Sequence, residues 1–117
     1  MSIQYSAEVA AALKSGAPIV ALESTIISHG LPRPSNLSVA IEVEEIVRAH
    51  GAVPATIAIL DGRICVGLEA DQLIEIANRD DIAKASIRDL AMASALKSSA
   101  ATTVAATSHI AGLAGIK

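Results

Sequence analysis

Ile19-Val-Ala-Leu-Glu-Ser-Thr-Ile-Ile-Ser-His-Gly-Leu-Pro-Arg-Pro34 is the stretch on which the reading of this chain turns. Its first four residues form a short apolar run, set off by Pro18 before it and a polar cluster after it. Such a run suits a strand buried on both faces, as in a parallel sheet. Glu23 follows at once, then Ser24, Thr25, Ser28 and His29. Ligands of open α/β sheets bind just outside the carboxyl ends of strands. A carboxylate and several hydroxyls at a strand end therefore mark a place for chemistry. The same residues also suit a plain solvated turn, since Ser and Thr are ordinary loop residues.

Working outward, Ser6 predicts an N-cap for a helix over 7–14, with Gly16 as its stop. Pro32 and Pro34 disfavour helix just before them and keep the loop irregular. Asn36 predicts the cap of a longer helix from Leu37 to His50. There Val39, Ala40, Val43, Ile46 and Val47 recur at helical spacing, which predicts a packing face with the carboxylates in water. Ala55–Leu60 and Arg63–Gly67 flank Asp61-Gly62, a strong signal for a hairpin with a type I′ turn. Cys65, inside the second of these strands, reads as a buried, inert thiol. Glu69–Ala77 reads as a helix and Ile82–Ala85 as a short strand that delivers Lys84. Ser86-Ile-Arg-Asp89 fits a capping box for a helix reaching about Lys97. Ser98–Thr103 reads as a loop, and an Ala-rich helix follows from about Val104 to Ala114.

These elements predict an α/β protein, with a mixed sheet flanked by helices in an α-β-α sandwich. No internal repeat or linker interrupts residues 1–117, so a single domain is expected. The 117 residues are 52% hydrophobic and 18% charged, enough apolar material for a core and too much for disorder. Tyr5 is the sole aromatic residue, which argues against stacking on single-stranded nucleic acid. A net charge of -3 and the lack of a basic run give no attraction to nucleic acid or to an anionic membrane. No apolar stretch approaches the roughly 20 residues of a membrane span. A lone cysteine and the absence of a signal-peptide pattern lead to the expectation of a cytoplasmic protein.

Familiar catalytic patterns are missing. Glu23, Ser24 or Ser28, and His29 lie too close in sequence to converge as a triad, and no Gly-x-Ser-x-Gly elbow is present. His29, His50, His109 and Cys65 are too scattered for a zinc motif. The sequence has no P-loop and no Gly-x-Gly-x-x-Gly. Two features remain open between a site and a bland role. Ala101-Thr-Thr-Val104 precedes a helix, whose N-terminus attracts phosphate but is equally an ordinary Thr cap. Lys84 alone reads as a solvated charge.

Four separated blocks shift that balance. Ala21-Leu-Glu-Ser-Thr-Ile-Ile-Ser-His-Gly-Leu-Pro32, Val53–Leu68, Lys84-Ala-Ser-Ile-Arg-Asp89 and Thr102-Thr-Val-Ala-Ala-Thr107 resemble, in order and spacing, the N-terminal part of pseudouridine-5'-phosphate glycosidases. The resemblance implies reversible cleavage of the C–C glycosidic bond of pseudouridine 5'-phosphate to uracil and ribose 5-phosphate. It also implies Glu23 as proton donor or acceptor, and Lys84, Thr103 and Val104 as substrate-binding residues. It implies a manganese ion held by an aspartate, an imine-forming lysine, and a homotrimer. The motifs of that lysine and aspartate do not occur here, so no metal ligand is expected in this chain. The expectation is an N-terminal portion of the family domain, with its sheet incomplete at the C-terminal end and inactive alone. The alternative is a non-catalytic phosphosugar-binding or structural fragment. The family has apolar residues where Ser108 and His109 stand.

Overall fold

A computed structural model describes residues 2–117. Its elements are β1 (Ile3–Tyr5), α1 (Ala7–Ser15), β2 (Ile19–Leu22), α2 (Ser35–Ala49), β3 (Val53–Leu60) and β4 (Arg63–Val66), followed by α3 (Ala70–Asn78), β5 (Ala83–Ala85), α4 (Leu90–Ala95), β6 (Ala100–Thr102) and α5 (Val104–Leu113). A single π-helical turn, Ile26–Gly30, links β2 to α2. The mixed sheet runs β1-β4-β3-β6-β5, and β2 pairs separately with β3.

β3 is the axis of the fold. Seven of its eight residues are buried, and alternate residues feed two cores. Ala55, Ile57 and Ile59 pack with Val9 of α1, Leu90 and Ala93 of α4, and Ala106 and Ile110 of α5. Ala58 and Leu60 pack with Ala40 of α2 and Leu73, Ile76 and Ala77 of α3. Helices thus cover both faces, giving the expected α-β-α sandwich. Ser6 accepts a hydrogen bond from the Val9 N–H at the start of α1, as its position suggested. Asp61 and Gly62 both adopt positive φ, 48° and 81°, in the hairpin turn between β3 and β4. Burial pushes the Cys65 thiol pKa up and keeps the group inert.

Several expectations are corrected. β2 is a half-buried strand with, among the described residues, a partner on one side only, and Val20 is 41% exposed. Asn36 is no cap. It lies within the first turn of α2, buried, and its Nδ2 donates to the carbonyls of Ile27 and Ala77. The face of α2 is also turned. Asn36, Ala40 and Glu44 point inward, while Val43 and Ile46 are exposed. Glu44 is buried because it has partners: the Thr56 hydroxyl donates to it at 2.6 Å and Arg48 at 3.3 Å. A satisfied carboxylate can displace an aliphatic residue from the inner face. α4 ends at Ala95, short of Lys97. Ala100–Thr102, expected to be loop, is a fully buried strand, and Ile3–Tyr5 adds another strand at the sheet's far edge. Ser108 and His109 face solvent on α5, so their polarity costs the core nothing.

Candidate functional site at the strand ends

The geometry of the site begins with two strands that share one flank of β3. β2 runs parallel to β3 against Val53–Thr56. β6 runs antiparallel against Ala58 and Ile59. Their carboxyl ends therefore meet head-on beside Ile57. Open α/β sheets bind ligands just outside the carboxyl ends of their strands, and here two such ends face each other.

A buried hydroxyl network ties the two ends together. Ser24 Oγ donates to the Ile57 carbonyl at 2.6 Å and accepts from the Thr102 N–H at 2.9 Å. The Ser24 N–H in turn donates to the Thr102 carbonyl. Thr102 Oγ1 donates to the same Ile57 carbonyl at 2.8 Å, which leaves the Thr107 hydroxyl to donate to Thr102 Oγ1. One carbonyl oxygen has two lone pairs and both are used. Every proton has one acceptor, so the rotamers of Ser24 and Thr102 are fixed. Sequence reading treats these hydroxyls as loop polarity. Their signal is that each stands at or within two residues of the end of a short apolar run.

The network fixes the residues next to it. Glu23 precedes Ser24, and its carboxylate accepts from the Thr25 N–H at 2.9 Å and the Ile26 N–H at 3.2 Å. This caps the π-helical turn and holds the carboxylate at the strand end. Each oxygen still has a free lone-pair direction. Thr25 Oγ1 donates to the Thr102 carbonyl, a second link across the gap. On the other side, Thr103 is the N-cap of α5, and its Oγ1 accepts from the Ala106 N–H at 3.2 Å. The cap leaves the N–H groups of Val104 and Ala105 without an intrahelical acceptor, at the positive end of the helix dipole. Val104 is 72% exposed.

Glu23 and Val104 line one open groove of about 790 Å³ between β2 and α5. Lys84 stands one strand further out. It lies exposed on β5, opposite Ala101 of β6, and the groove does not include it. The π-helical turn spans part of that distance, because His29 Nε2 lies 3.3 Å from the Ala83 carbonyl beside Lys84. The carboxyl end of β2 thus faces those of β5 and β6, with Glu23 on one side of the gap and Lys84 and the N-terminus of α5 on the other. Among the described residues, no three His, Cys, Asp or Glu side chains are grouped to hold a metal ion. The donor set does not fit the manganese that the resemblance implies.

Fold and site together define a three-layer α/β protein with its polar groups gathered where two strand ends meet. Residues 8–117 match the family described as "Indigoidine synthase A like protein", and the chain belongs to that family. It is 61% identical over 110 residues to a pseudouridine-5'-phosphate glycosidase of Nocardioides sp., covering 94% of this chain and 36% of that protein. It is 56% identical over 115 residues to the enzyme of the same name from Salinispora tropica, covering 98% and 36%. The chain spans about a third of the length of these curated relatives. Among solved structures, the prealnumycin C-glycosynthase AlnA in complex with ribulose 5-phosphate matches with a TM-score of 0.85 and 41% identity, covering 98% of this chain and 37% of that one. An indigoidine synthase A-like protein of Thermotoga maritima matches equally well, at 32% identity and the same coverage.

Proposed function

We propose that this chain carries the phosphosugar-binding and proton-transfer part of a pseudouridine-5'-phosphate glycosidase site. The observation that supports it most is the head-on meeting of β2 and β6, which places Glu23 beside the N-terminus of α5. In the reading proposed, the first-turn N–H groups of α5 and the Lys84 ammonium hold the sugar phosphate. When the bond between the sugar and C5 of uracil breaks, that carbon must take up a proton. Glu23, held by two backbone N–H groups, is the carboxylate placed to transfer it. Relatives at 53–61% identity bear the glycosidase name, and a structural neighbour holds a pentulose phosphate. The imine-forming lysine and metal-binding aspartate of the family belong to motifs this sequence lacks. Turnover by the chain unaided is therefore not part of the proposal, nor is a trimer.

Calorimetry with ribose 5-phosphate tests the binding half. Lys84→Ala is expected to weaken binding by about 2 kcal/mol, the order of a charge-assisted contact. Glu23→Gln is expected to leave that affinity nearly unchanged. In a family-length protein carrying this segment, the same Glu23→Gln should lower uracil release by roughly 10²-fold or more. Unchanged affinity in Lys84→Ala returns that residue to a solvated charge. Full uracil release in the Glu23 variant leaves its carboxylate as a cap for the π-helical turn, the role of a non-catalytic phosphosugar-binding fragment.

A further inference from the structure

The Glu23 carboxylate is only as fixed as the turn that holds it. Its two donors, the Thr25 and Ile26 N–H groups, stand at the start of the π-helical turn. A single π-helical turn is wide and rare, and closes on few backbone bonds of its own, the Leu31 N–H to the Ile26 carbonyl at 3.0 Å among them. Any drift of the turn carries the carboxylate with it.

Support comes from the far end of α3. Many helices end in a left-handed residue that folds the chain back onto the last carbonyls. Here the chain leaves α3 extended at Arg79, with φ −73° and ψ 141°. The carbonyls of Ile76 and Ala77 are filled instead by side chains of the Glu23 segment. Ser28 Oγ donates to Ile76 at 3.0 Å. Asn36 Nδ2 donates to Ala77 at 2.8 Å and to Ile27, inside the turn, at 3.0 Å. Arg33 Nε reaches the Ala77 carbonyl at 3.1 Å and sets a cation at the negative end of the helix dipole. The helix receives its cap, and the turn receives a fixed point.

Asn36 is the joint of this arrangement. It is 2% exposed, and its amide protons go to carbonyls of two different segments. Reversing the amide would set an oxygen against both carbonyls, so its orientation is determined. Its Oδ1 finds no partner among the described residues. A buried unpaired acceptor is destabilising, so what Asn36 contributes is the pair of bonds across the joint. It does not line the groove shared by Glu23 and Val104, and it acts on that groove only through the turn.

We infer that Asn36, together with Ser28, is a positioning residue for the proton transfer assigned to Glu23: it locks the π-helical turn to the C-terminal end of α3 and so fixes the carboxylate that the turn holds. The catalytic half rests on the proton-transfer reading of Glu23, and the anchoring half stands without it.

Hydrogen exchange of the whole chain, followed residue by residue by NMR, reads the anchoring. In Asn36→Ala and Ser28→Ala the Thr25 and Ile26 amides are expected to exchange on the order of 10-fold faster than in the parent. Ser28→Thr keeps the hydroxyl and is expected to restore the parent rates. Ser6→Ala removes the cap of α1, a loss of similar size, and is expected to leave both amides unchanged. In a family-length protein carrying this segment, Asn36→Ala and Ser28→Ala are expected to lower kcat for uracil release by roughly 10-fold with KM little changed. That loss is expected to vanish when either change is added to Glu23→Gln, because the group being positioned is gone. If Asn36→Ala does not fold, Ser28→Ala carries both measurements. Unchanged Thr25 and Ile26 exchange in folded Ser28→Ala overturns the inference, as does an equal rise in Ser6→Ala. A kcat loss that persists in full on top of Glu23→Gln overturns it too. Should Glu23→Gln itself release uracil at the parent rate, the proton-transfer reading fails, and the exchange rates alone decide the anchoring.

Discussion

The hairpin end of β3 and the strand ends that meet beside Ile57 are closed by the same kind of chemistry and put to opposite uses. At the hairpin end, the Gly62 N–H donates to the Ser98 carbonyl and the Asp61 N–H to Ser99 Oγ. The turn is pressed against the start of β6, and a Cβ at Gly62 would lie 2.8 Å from Lys97 Cα and 2.9 Å from the Ser94 carbonyl. Where β2 and β6 meet, Ser24 and Thr102 also join backbone to hydroxyl. There the bonded groups sit beneath the surface and leave Glu23, Thr103 and Val104 above them. A serine next to backbone amides can therefore seal one end of a sheet and expose the other. The difference lies in what its chain neighbours are free to face.

Breaking the sealed end should have the larger effect. Gly62→Ala combines positive φ with a backbone clash that neither partner can yield, and is expected to destabilise by about 3 kcal/mol. Urea unfolding measures it. Gly16→Ala sharpens the point, because Gly16 also has positive φ but open space around it. Its cost should stay near 1 kcal/mol.

At the open end, Ser24→Ala removes one donor to the Ile57 carbonyl and leaves the buried Thr102 N–H without its acceptor. A loss of about 2 kcal/mol is expected. Unlike Gly62→Ala, it should also weaken ribose 5-phosphate binding under conditions where the protein remains folded. Equal effects of the two variants on binding would erase the distinction between the ends.

The smallest effect concerns neither end but the outside of the sandwich. Arg48 of α2 donates to Glu8 of α1 at 2.8 and 2.9 Å. This bond holds the Glu8 carboxyl below its ordinary value of 4.5, aided by the nearby charge. A depressed carboxyl pKa stabilises the fold above the ordinary value, and that contribution is lost as pH falls through the folded value. The pair is partly exposed, so the loss should be under about 1 kcal/mol. Comparing acid unfolding of the parent with Glu8→Gln below pH 4.5 isolates it.

What could be read from the sequence was whatever local chemistry enforces. Asp61-Gly62 announced its turn because few other residues accept those dihedral angles, and Ser6 announced α1 because its hydroxyl serves the nearest free N–H. Long-range features were silent. Ala100–Thr102 carries no β-branched or aromatic run, and it is a strand only because β3 and β5 flank it. The orientation of α2 was misread for a related reason. Its aliphatic residues repeat at helical spacing, but Asn36 and Glu44 each find partners inside, and helical period alone cannot say which side faces the sheet. Glu23 was legible as a carboxylate at a strand end, and family resemblance singled it out. That the end of β6 would arrive opposite it was not legible, since no local rule brings residue 24 to residue 102.

The shared flank of β3 also acts as a gauge of length. β2 occupies four of its positions and β6 two, with Ile57 alone left between them. Neither strand can grow toward the other. A residue inserted between Pro18 and Glu23, or between Ser99 and Thr103, has no vacant step to occupy and must push a functional side chain out of line. Insertions of the same size in the Asn78–Asp81 turn meet no such stop. Where these two strands end, spacing is counted to the residue.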